Sequence, residues 1–285
     1  MPPIQPFPDT STMHPPIAFI GAGNMARAII GGLVDSGIPA ARLCVTDALP
    51  DVASRLAADF GVAVAASNRA AVRDAGVVVL AVKPQQMKAV ALEIRDALAA
   101  SGSLVLSIAA GITTEALRRW LGSGTAVVRS MPNTPALIRR GTAVLHASNG
   151  VTPAQREAAA GILGAVGAVH WVDDEAQLDA VTALSGSGPA YVFRLLECLE
   201  SAGTALGLPL PLARALALET VAGAAALASG SDEAAATLRA RVTSRGGTTE
   251  RALAILDEGG LEALFARALA AAEERSRNLA AEFGG

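Results

Sequence analysis

The sequence has 285 residues, of which 52% are hydrophobic, 17% charged and 3% aromatic. This length exceeds that of one usual compact core, and the composition is that of a folded, Ala-rich chain rather than a disordered one. A net charge of -3 and few aromatic rings exclude a typical nucleic-acid binder, which needs a basic surface and stacking side chains. We therefore expect a globular protein of two domains with no nucleic-acid partner.

Residues 1–16 are predicted to form a flexible N-terminal tail. They include six prolines and have neither the basic region nor the apolar core of a signal peptide. The longest apolar stretches are interrupted by Gly, Arg or Glu before they reach the roughly 20 residues of a membrane span. We expect a cytoplasmic protein with no membrane segment.

Cysteine and histidine are too sparse to indicate metal binding. Cys44 lies in an apolar run and Cys198 in a helical pattern, so both are expected to be buried, reduced thiols. His14, His146 and His170 are isolated from one another, and no Ser/His or Cys/His motif suggests covalent catalysis. No metal site is expected.

Short apolar runs alternate with helical patterns over residues 17–173, which predicts βαβ units, a parallel sheet and a Rossmann-type, doubly wound NAD(P)-binding domain. Thr113 and Thr152 precede helical patterns as expected N-terminal caps. The strand candidates are 17–20, 43–46, 77–82, 104–108, 126–129 and 142–146, and the helix candidates are 25–36, 51–60, 85–99, 113–121 and 153–164.

Residues 174–285 are predicted to form a second, all-α domain. Strand patterns end there, and Ala/Leu-rich helical stretches are broken at 185–189, 207–211, 229–232 and 244–247. Helices with so few charges, such as 213–228, are hard to bury within one chain. A helical homodimer interface is the expected solution.

A dinucleotide fingerprint follows the first strand. The sequence GAGNMA over residues 21–26 stands between a strand and a helix, as the GxGxxA pattern requires. Gly21 permits the tight turn, Gly23 lets a pyrophosphate approach the backbone, and Ala26 is small enough for the helix to pack on the sheet. The helix N-terminus favours the phosphate charge.

Asp47, at the end of the second strand, is placed to accept hydrogen bonds from an adenosine ribose, which favours NADH over NADPH. It also suits a helix-capping role near Asp51, and the two interpretations stay open. Arg55 and Arg69 are candidate partners for a 2′-phosphate, so the sequence does not decide between NADH and NADPH.

Two further strand ends are candidates for the ligand crevice, which forms at the carboxyl ends of parallel strands. One strand ends in Ala81, Val82, Lys83 and Pro84, and the next is followed by Ala109, Ala110 and Gly111. Lysine at a strand end is more often a solvated surface charge, but Lys83 stands between a buried strand and a helix begun by proline. That position favours a cofactor contact.

The segment 242–249, VTSRGGTT, lies between helices. A Gly-Gly turn followed by a helix N-terminus directs free amides at one point and suits a small carboxylate. An ordinary interhelical turn with Thr248 or Thr249 as N-cap explains the same residues and is, on the residues alone, the commoner outcome.

The segments IAFIGAGNMARAIIGGL, AVKP, SIAAGIT, VVRSMPNTPALIRRG, ALSGSGPAYVF and VTSRGGTT, in this order, resemble the pyrroline-5-carboxylate reductase family from the end of the tail onward. The resemblance implies NADPH- or NADH-dependent reduction of (S)-1-pyrroline-5-carboxylate to L-proline, the last step of proline biosynthesis. It also implies a helical domain that forms an intertwined homodimer, in some members assembled to a decamer.

The resemblance further implies roles for matching residues. Substrate would be bound by Ser244, Gly246, Gly247, Thr248 and Thr249, with Thr249 near the ring nitrogen as the catalytic residue. The dinucleotide would be held by Gly21, Ala22, Gly23, Asn24, Met25, Asn68, Ala81, Val82, Lys83, Pro84, Ala109, Ala110, Gly111 and Glu175.

Three positions depart from the family pattern. Arg245 stands where many relatives have proline, and Arg241 where they have asparagine, so no cofactor contact is carried over to Arg241. Asp47 replaces the Ser or Asn-Arg character of NADPH-preferring members.

Three alternatives remain. Another imine reductase or a β-hydroxyacid dehydrogenase shares the architecture, but the dehydrogenase needs a catalytic lysine after the Rossmann domain, and residues 175–203 contain none. A non-catalytic NAD(P)-binding regulator would bind the cofactor without turnover.

Overall fold

The computed structural model describes residues 15–284, which contacts divide into two compact units. One unit comprises residues 15–187 and 271–284 and contains the sheet, whereas residues 188–270 form a helical unit. The tail predicted for 1–16 lies outside the described residues except for Pro15 and Pro16. The Pro16 carbonyl accepts hydrogen bonds from the Gly76 and Val77 amides, so this end of the predicted tail is part of the fold.

The sheet unit contains eight strands in the order β3-β2-β1-β4-β5-β6-β7-β8. The order reverses between β1 and β4, the point at which doubly wound sheets bind ligands beyond the carboxyl ends of their strands. The bounds are β1 Ile17–Ile20, β2 Leu43–Thr46, β3 Ala63–Val64, β4 Val77–Leu80, β5 Leu104–Ser107, β6 Val127–Pro132, β7 Gly141–Ala147 and β8 Gly167–Trp171.

Helices cover both faces of the sheet because its strands are apolar on both sides. Phe19 faces one buried cluster with Ile29 and Leu33, and Ile20 faces the other with Met87 and Ile94. The helices of this part are α1 Asn24–Asp35, α2 Pro50–Phe60, α3 Asn68–Arg73, α4 Pro84–Ser101, α5 Thr114–Leu121 and α6 Pro153–Gly164.

The predicted caps are confirmed in atomic detail. The Thr113 hydroxyl accepts from the Ala116 amide at 3.1 Å. Thr152 and Gln155 form a reciprocal capping box at the start of α6. These polar side chains satisfy amides that a helix leaves unpaired, and they fix where each helix begins.

The sheet is parallel, as predicted, except at one place. β7 runs antiparallel to β6, with Ser130 opposite Leu145, because a short connection containing a 3-10 turn at Thr134–Ile138 cannot hold a crossover helix. The sequence analysis also did not predict β3, which has only two residues, both exposed. It did not predict β8 either, because apolar and polar residues alternate only weakly along that strand.

The four predicted breaks coincide with helix boundaries, but the break at 259–260 between the last two helices was not predicted. A π-helical turn at Thr182–Gly186 and the start of the next helix at Gly188 correspond to the break at 185–189. The bounds are α7 Gln177–Val181, α8 Gly188–Ala205, α9 Leu210–Ser229, α10 Ala235–Arg241, α11 Thr248–Glu258 and α12 Leu261–Phe283.

The helical unit exposes many large apolar side chains. Helix α9 has a mean hydropathy of 1.4 with 11% of its apolar window buried, and its length and composition alone would allow it to cross a membrane. The sequence analysis predicts no such segment, because Arg214, Glu219 and Gly223 interrupt this stretch. Arg214 of α9 pairs with Glu200 of α8 at 3.3 Å. Exposed apolar side chains include Phe193, Leu206, Leu218, Leu227, Val242 and Phe265.

The two cysteines differ from expectation. Cys198 is exposed in the described chain and not buried. Cys44 is partly buried, and burial, with Asp74 adding to it, raises the pKa of its thiol. A raised pKa disfavours the reactive thiolate, which fits the predicted reduced thiol of Cys44.

A buried cation connects the first residues after 173 to the sheet. Arg129 on β6 is 3% exposed, and its guanidinium lies 3.1 Å from Glu175 and 3.9 Å from Asp179. Asp179 also accepts from the Ser276 hydroxyl of α12 at 2.7 Å. The compact unit consequently extends to residue 187 and includes 271–284, whereas the sequence predicted a boundary between 173 and 174.

Replacing Arg129 with methionine is expected to lower the free energy of unfolding by about 3 kcal/mol, because two partly buried carboxylates lose their cation. Urea denaturation at fixed protomer concentration measures this loss. As a control, Arg275→Met removes an exposed pair with Glu282 and should cost less than about 1 kcal/mol. Equal losses in the two variants would contradict the role given to Arg129.

Candidate functional site

A cleft of about 780 Å³ opens at the carboxyl ends of β1, β2 and β4. It lies at the reversal of strand order, where a doubly wound sheet is expected to bind a dinucleotide. Its lining consists of Ile20, Gly21, Gly23, Thr46, Asp47, Ala48, Leu49, Val52, Ala66, Ser67, Asn68, Ala81, Val82, Lys83, Gln85, Gln86, Ala89, Val90 and Glu93.

The two glycines of the turn after β1 serve different purposes. Gly21 has φ +103, and a Cβ there would lie 2.6 Å from the Ala81 carbonyl oxygen, so the fold itself requires glycine. Gly23 is the N-cap of α1 with ordinary extended geometry, and a Cβ there meets nothing within 4 Å. The space beside Gly23 is therefore open for a pyrophosphate, and the residues present fit a dinucleotide.

Asp47 is not a helix cap. One carboxylate oxygen accepts from the Ala22 amide at 2.8 Å, and the other accepts from the Leu49 amide at 2.9 Å. The N-cap of α2 is Leu49, which has no side-chain cap, so the capping alternative is wrong. Asp47 instead stabilises the glycine turn through the Ala22 amide, and it also lines the cleft. Its contact with the ribose stays a prediction.

Asn68 begins α3 and lines the cleft beside Glu93 of α4. The Asn68 amide nitrogen donates to a Glu93 carboxylate oxygen at 2.8 Å. Arg69 donates its Nε to the Glu93 backbone carbonyl at 2.9 Å. Neither Arg69 nor Arg55, the two predicted partners of a 2′-phosphate, is among the residues lining this cleft.

Other predicted cofactor residues lie outside the cleft lining. The Ala22 amide is taken by Asp47, while Asn24 and Met25 begin α1 and present amides that have no partner within the helix. Pro84 is the first residue of α4. Ala109, Ala110 and Gly111 follow β5, and an added Cβ at Gly111 would lie 3.2 Å from Leu279. Their contacts with a cofactor stay predictions.

Glu175 also lies outside this cleft, and its carboxylate is already engaged. It accepts from the Thr114 amide at 2.8 Å and from the Thr114 hydroxyl at 2.6 Å, and it pairs with Arg129. These bonds cap α5 and neutralise a buried cation. The structure thus gives Glu175 structural contacts, and its predicted contact with the cofactor stays a prediction.

The predicted substrate turn begins α11 in the helical unit. Gly247 is the N-cap with no side-chain bond, so the alternative in which Thr248 or Thr249 caps the helix is wrong. Two of the predicted amides are occupied, because Gly246 donates to the Glu250 carboxylate at 2.6 Å and Gly247 donates to the Ser244 carbonyl at 3.0 Å. Thr248 and Thr249 have the amides left open by helix geometry.

The sequence analysis did not identify the residues that α4 contributes to the cleft. The α4 residues Gln85, Gln86, Ala89, Val90 and Glu93 all line it, at the spacing of one helical face. Because α4 directly follows the Ala81 to Lys83 segment, this periodicity was available in the sequence. Its polar members were not recognised because the helix also has a buried apolar face, which includes Met87.

The two glycines allow a matched pair of variants. Gly23→Val should keep the wild-type melting temperature and lose cofactor binding, because the added side chain enters the open space of the cleft. Gly21→Val should melt at a lower temperature, because its side chain meets the Ala81 carbonyl at a strained φ. Thermal melting and fluorescence titration with reduced cofactor test both; wild-type affinity in folded Gly23→Val would contradict the assignment.

Comparison with known proteins gives consistent results. Residues 175–279 match the family model described as pyrroline-5-carboxylate reductase dimerisation, and residues 16–111 match the model described as NADP oxidoreductase, coenzyme F420-dependent. The chain is 50% identical over 270 residues to the pyrroline-5-carboxylate reductase of Pseudomonas aeruginosa, covering 95% of this chain and 98% of that protein.

Two solved structures of similar proteins agree. A pyrroline-5-carboxylate reductase from Coxiella burnetii is 44% identical with a TM-score of 0.89, covering 93% of this chain and 98% of that one. A Plasmodium falciparum pyrroline carboxylate reductase with NADP bound is 28% identical with a TM-score of 0.83, covering 94% and 99%. The chain therefore belongs to the pyrroline-5-carboxylate reductase family of NAD(P)H-dependent oxidoreductases.

Proposed function

We propose that this chain reduces (S)-1-pyrroline-5-carboxylate to L-proline with NADH or NADPH, the last step of proline biosynthesis. The observation that carries the proposal is a glycine-turn cleft, shaped for a dinucleotide, in a chain half identical to a named reductase of this substrate. The bound cofactor would supply hydride from C4 of its nicotinamide to the imine carbon.

The chain's contribution on the cofactor side is binding and orientation. Gly23 leaves room for the pyrophosphate, and the amides of Asn24 and Met25 at the start of α1 provide donors for its charge. Lys83 adds a cation at the end of β4. Together these groups would fix the dinucleotide along the strand ends, which aligns the reacting atoms before chemistry begins.

On the substrate side, we assign the carboxylate to the amides of Thr248 and Thr249 and to the nearby hydroxyls, including that of Ser244. The Thr249 hydroxyl would donate to the ring nitrogen and polarise the C=N bond. A neutral hydroxyl is a poor acid at neutral pH, so the proton would come from water or arrive on the substrate. The occupied amides of Gly246 and Gly247 would shape the turn.

We further propose that the helical domain forms a homodimer and that the protein works in the cytoplasm. The match to a dimerisation domain and the exposed apolar side chains of the helical unit support the homodimer. A second copy of the chain, rather than lipid, would then cover α9. Light scattering on the purified protein tests whether the dimers assemble further to a decamer.

Loss of nicotinamide absorbance on addition of pyrroline-5-carboxylate tests the reaction directly. Turnover with L-proline as the product is expected. Cofactor binding without turnover would instead support a non-catalytic NAD(P)-binding regulator.

Thr249→Ala is expected to lower kcat/KM for pyrroline-5-carboxylate by about 2- to 13-fold, since one neutral hydrogen bond contributes roughly 0.5 to 1.5 kcal/mol. Cofactor affinity and the melting temperature should not change, because Thr249 does not cap α11. Thr249→Ser, which keeps a hydroxyl, should recover most of the loss.

Thr204→Ala is the matched control, because that hydroxyl donates to the Glu200 carbonyl within α8. It should retain wild-type kinetics. Wild-type kinetics in Thr249→Ala as well would remove Thr249 from the active site.

A further inference from the structure

Charge is distributed unevenly around the cofactor cleft. Across the sheet edge, Asn68 follows β3, Asp47 follows β2, the glycine turn follows β1, and Lys83 follows β4. Asp47 follows β2 and Lys83 follows β4, and these strands are two inter-strand spacings apart, roughly 9 to 10 Å. The β2 and β3 side of the cleft would hold the adenosine half of a dinucleotide, because acidic residues after β2 meet the ribose in this fold.

Glu93 adds a second carboxylate to that side. It lies about 12 Å along the cleft-lining face of α4 from Gln85, at the rise of 1.5 Å per residue. Its contact with Asn68 brings it next to the segment after β3. Among the residues lining the cleft, Asp47 and Glu93 are the acids and Lys83 is the cation.

Arg69, the arginine nearest in sequence to Asn68, is engaged by the backbone of α4. Its Nε is bonded to the Glu93 backbone carbonyl, and it is not part of the lining. A 2′-phosphate on the adenosine ribose would therefore approach two carboxylates without a cation among the lining residues of the same side. A ribose with a free 2′-hydroxyl would instead offer a donor to these acceptors.

Asp47 alone is already predicted to favour NADH; we propose that Glu93 is a second specificity-determining residue that, together with Asp47, makes this chain prefer NADH to NADPH. This inference rests on the proposed function. Glu93 acts in two ways: its charge repels a 2′-phosphate, and its bond to the Asn68 amide nitrogen sets the orientation of that amide. With one amide hydrogen held by Glu93, the Asn68 carbonyl oxygen is turned away from that bond and remains available as an acceptor.

The charge effect is tested by kcat/KM for both cofactors at low ionic strength. The wild type should favour NADH by about tenfold or more, and Glu93→Gln should shift the NADH/NADPH ratio toward NADPH by about three- to tenfold. Asp47→Asn, which keeps an acceptor for the Ala22 amide, should shift it in the same direction. Added salt should reduce the wild-type preference, because it screens the repulsion.

Asp96→Asn is the matched control, because Asp96 is an exposed acid of the same helix outside the cleft lining. It should leave both efficiencies unchanged. An NADPH-preferring wild type, or an equal shift in Asp96→Asn and Glu93→Gln, would overturn the proposal.

The orienting effect is tested separately with Glu93→Ala, which should raise KM for NADH with little change in kcat. Asn68→Ala should act alike, and the double variant should be no worse than the worse single variant if Glu93 acts through Asn68. Additive losses would overturn this part.

Absence of turnover with either cofactor would remove the proposed function but still leave this inference decidable. Dissociation constants for NADH and NADPH, measured by fluorescence titration on the same variants, then give the answer. Tighter binding of NADPH by the wild type would refute it.

Discussion

A guanidinium buried in a protein must find negative charge, and Arg129 meets this requirement with residues distant in the chain. Its two carboxylate partners, Glu175 and Asp179, come from the segment that follows the last strand. Glu175 also caps α5 through Thr114, and Asp179 also binds Ser276 of α12. Arg129 and its two carboxylate partners thus link β6, the start of α5, the segment after β8 and α12.

The cofactor cleft follows from the order of the strands. The reversal between β1 and β4 leaves a gap between the helices that follow them, and α4 forms one wall of that gap. Because parallel strands end at the same edge, short segments far apart in sequence contribute to one surface. The Gly21 turn lies so close to the Ala81 carbonyl that no side chain fits there, and its positive φ independently favours glycine.

Local patterns were sufficient to predict much of this architecture. The bounds of β1 and β2 and the N-cap at Thr152 follow from short-range apolar patterns and capping chemistry, and the structure confirms them. The cleft also contains the predicted residues Gly21, Gly23 and Lys83.

Features set by distant partners were not predictable in this way. The role of Glu175 depends on Thr114, 61 residues away, and the antiparallel β7 depends on how its connection folds back. The Asn68 bond to Glu93 spans 25 residues and two helices. In the turn before α11, the amino-acid types alone could not show whether a threonine caps the helix or whether Glu250 binds the Gly246 amide.

Asp47 has two roles that one substitution changes together, and this limits how the protein can evolve. Its carboxylate supports the Ala22 amide in the glycine turn as well as lining the cleft. A lineage that replaces it to accept a different dinucleotide also loses an acceptor that the turn needs. Such a change is most accessible through residues of similar reach, such as asparagine, or after another group has taken over the Ala22 amide. The route between cofactors is therefore constrained by the order of substitutions, and reconstructed ancestors of this chain offer a place to observe that order.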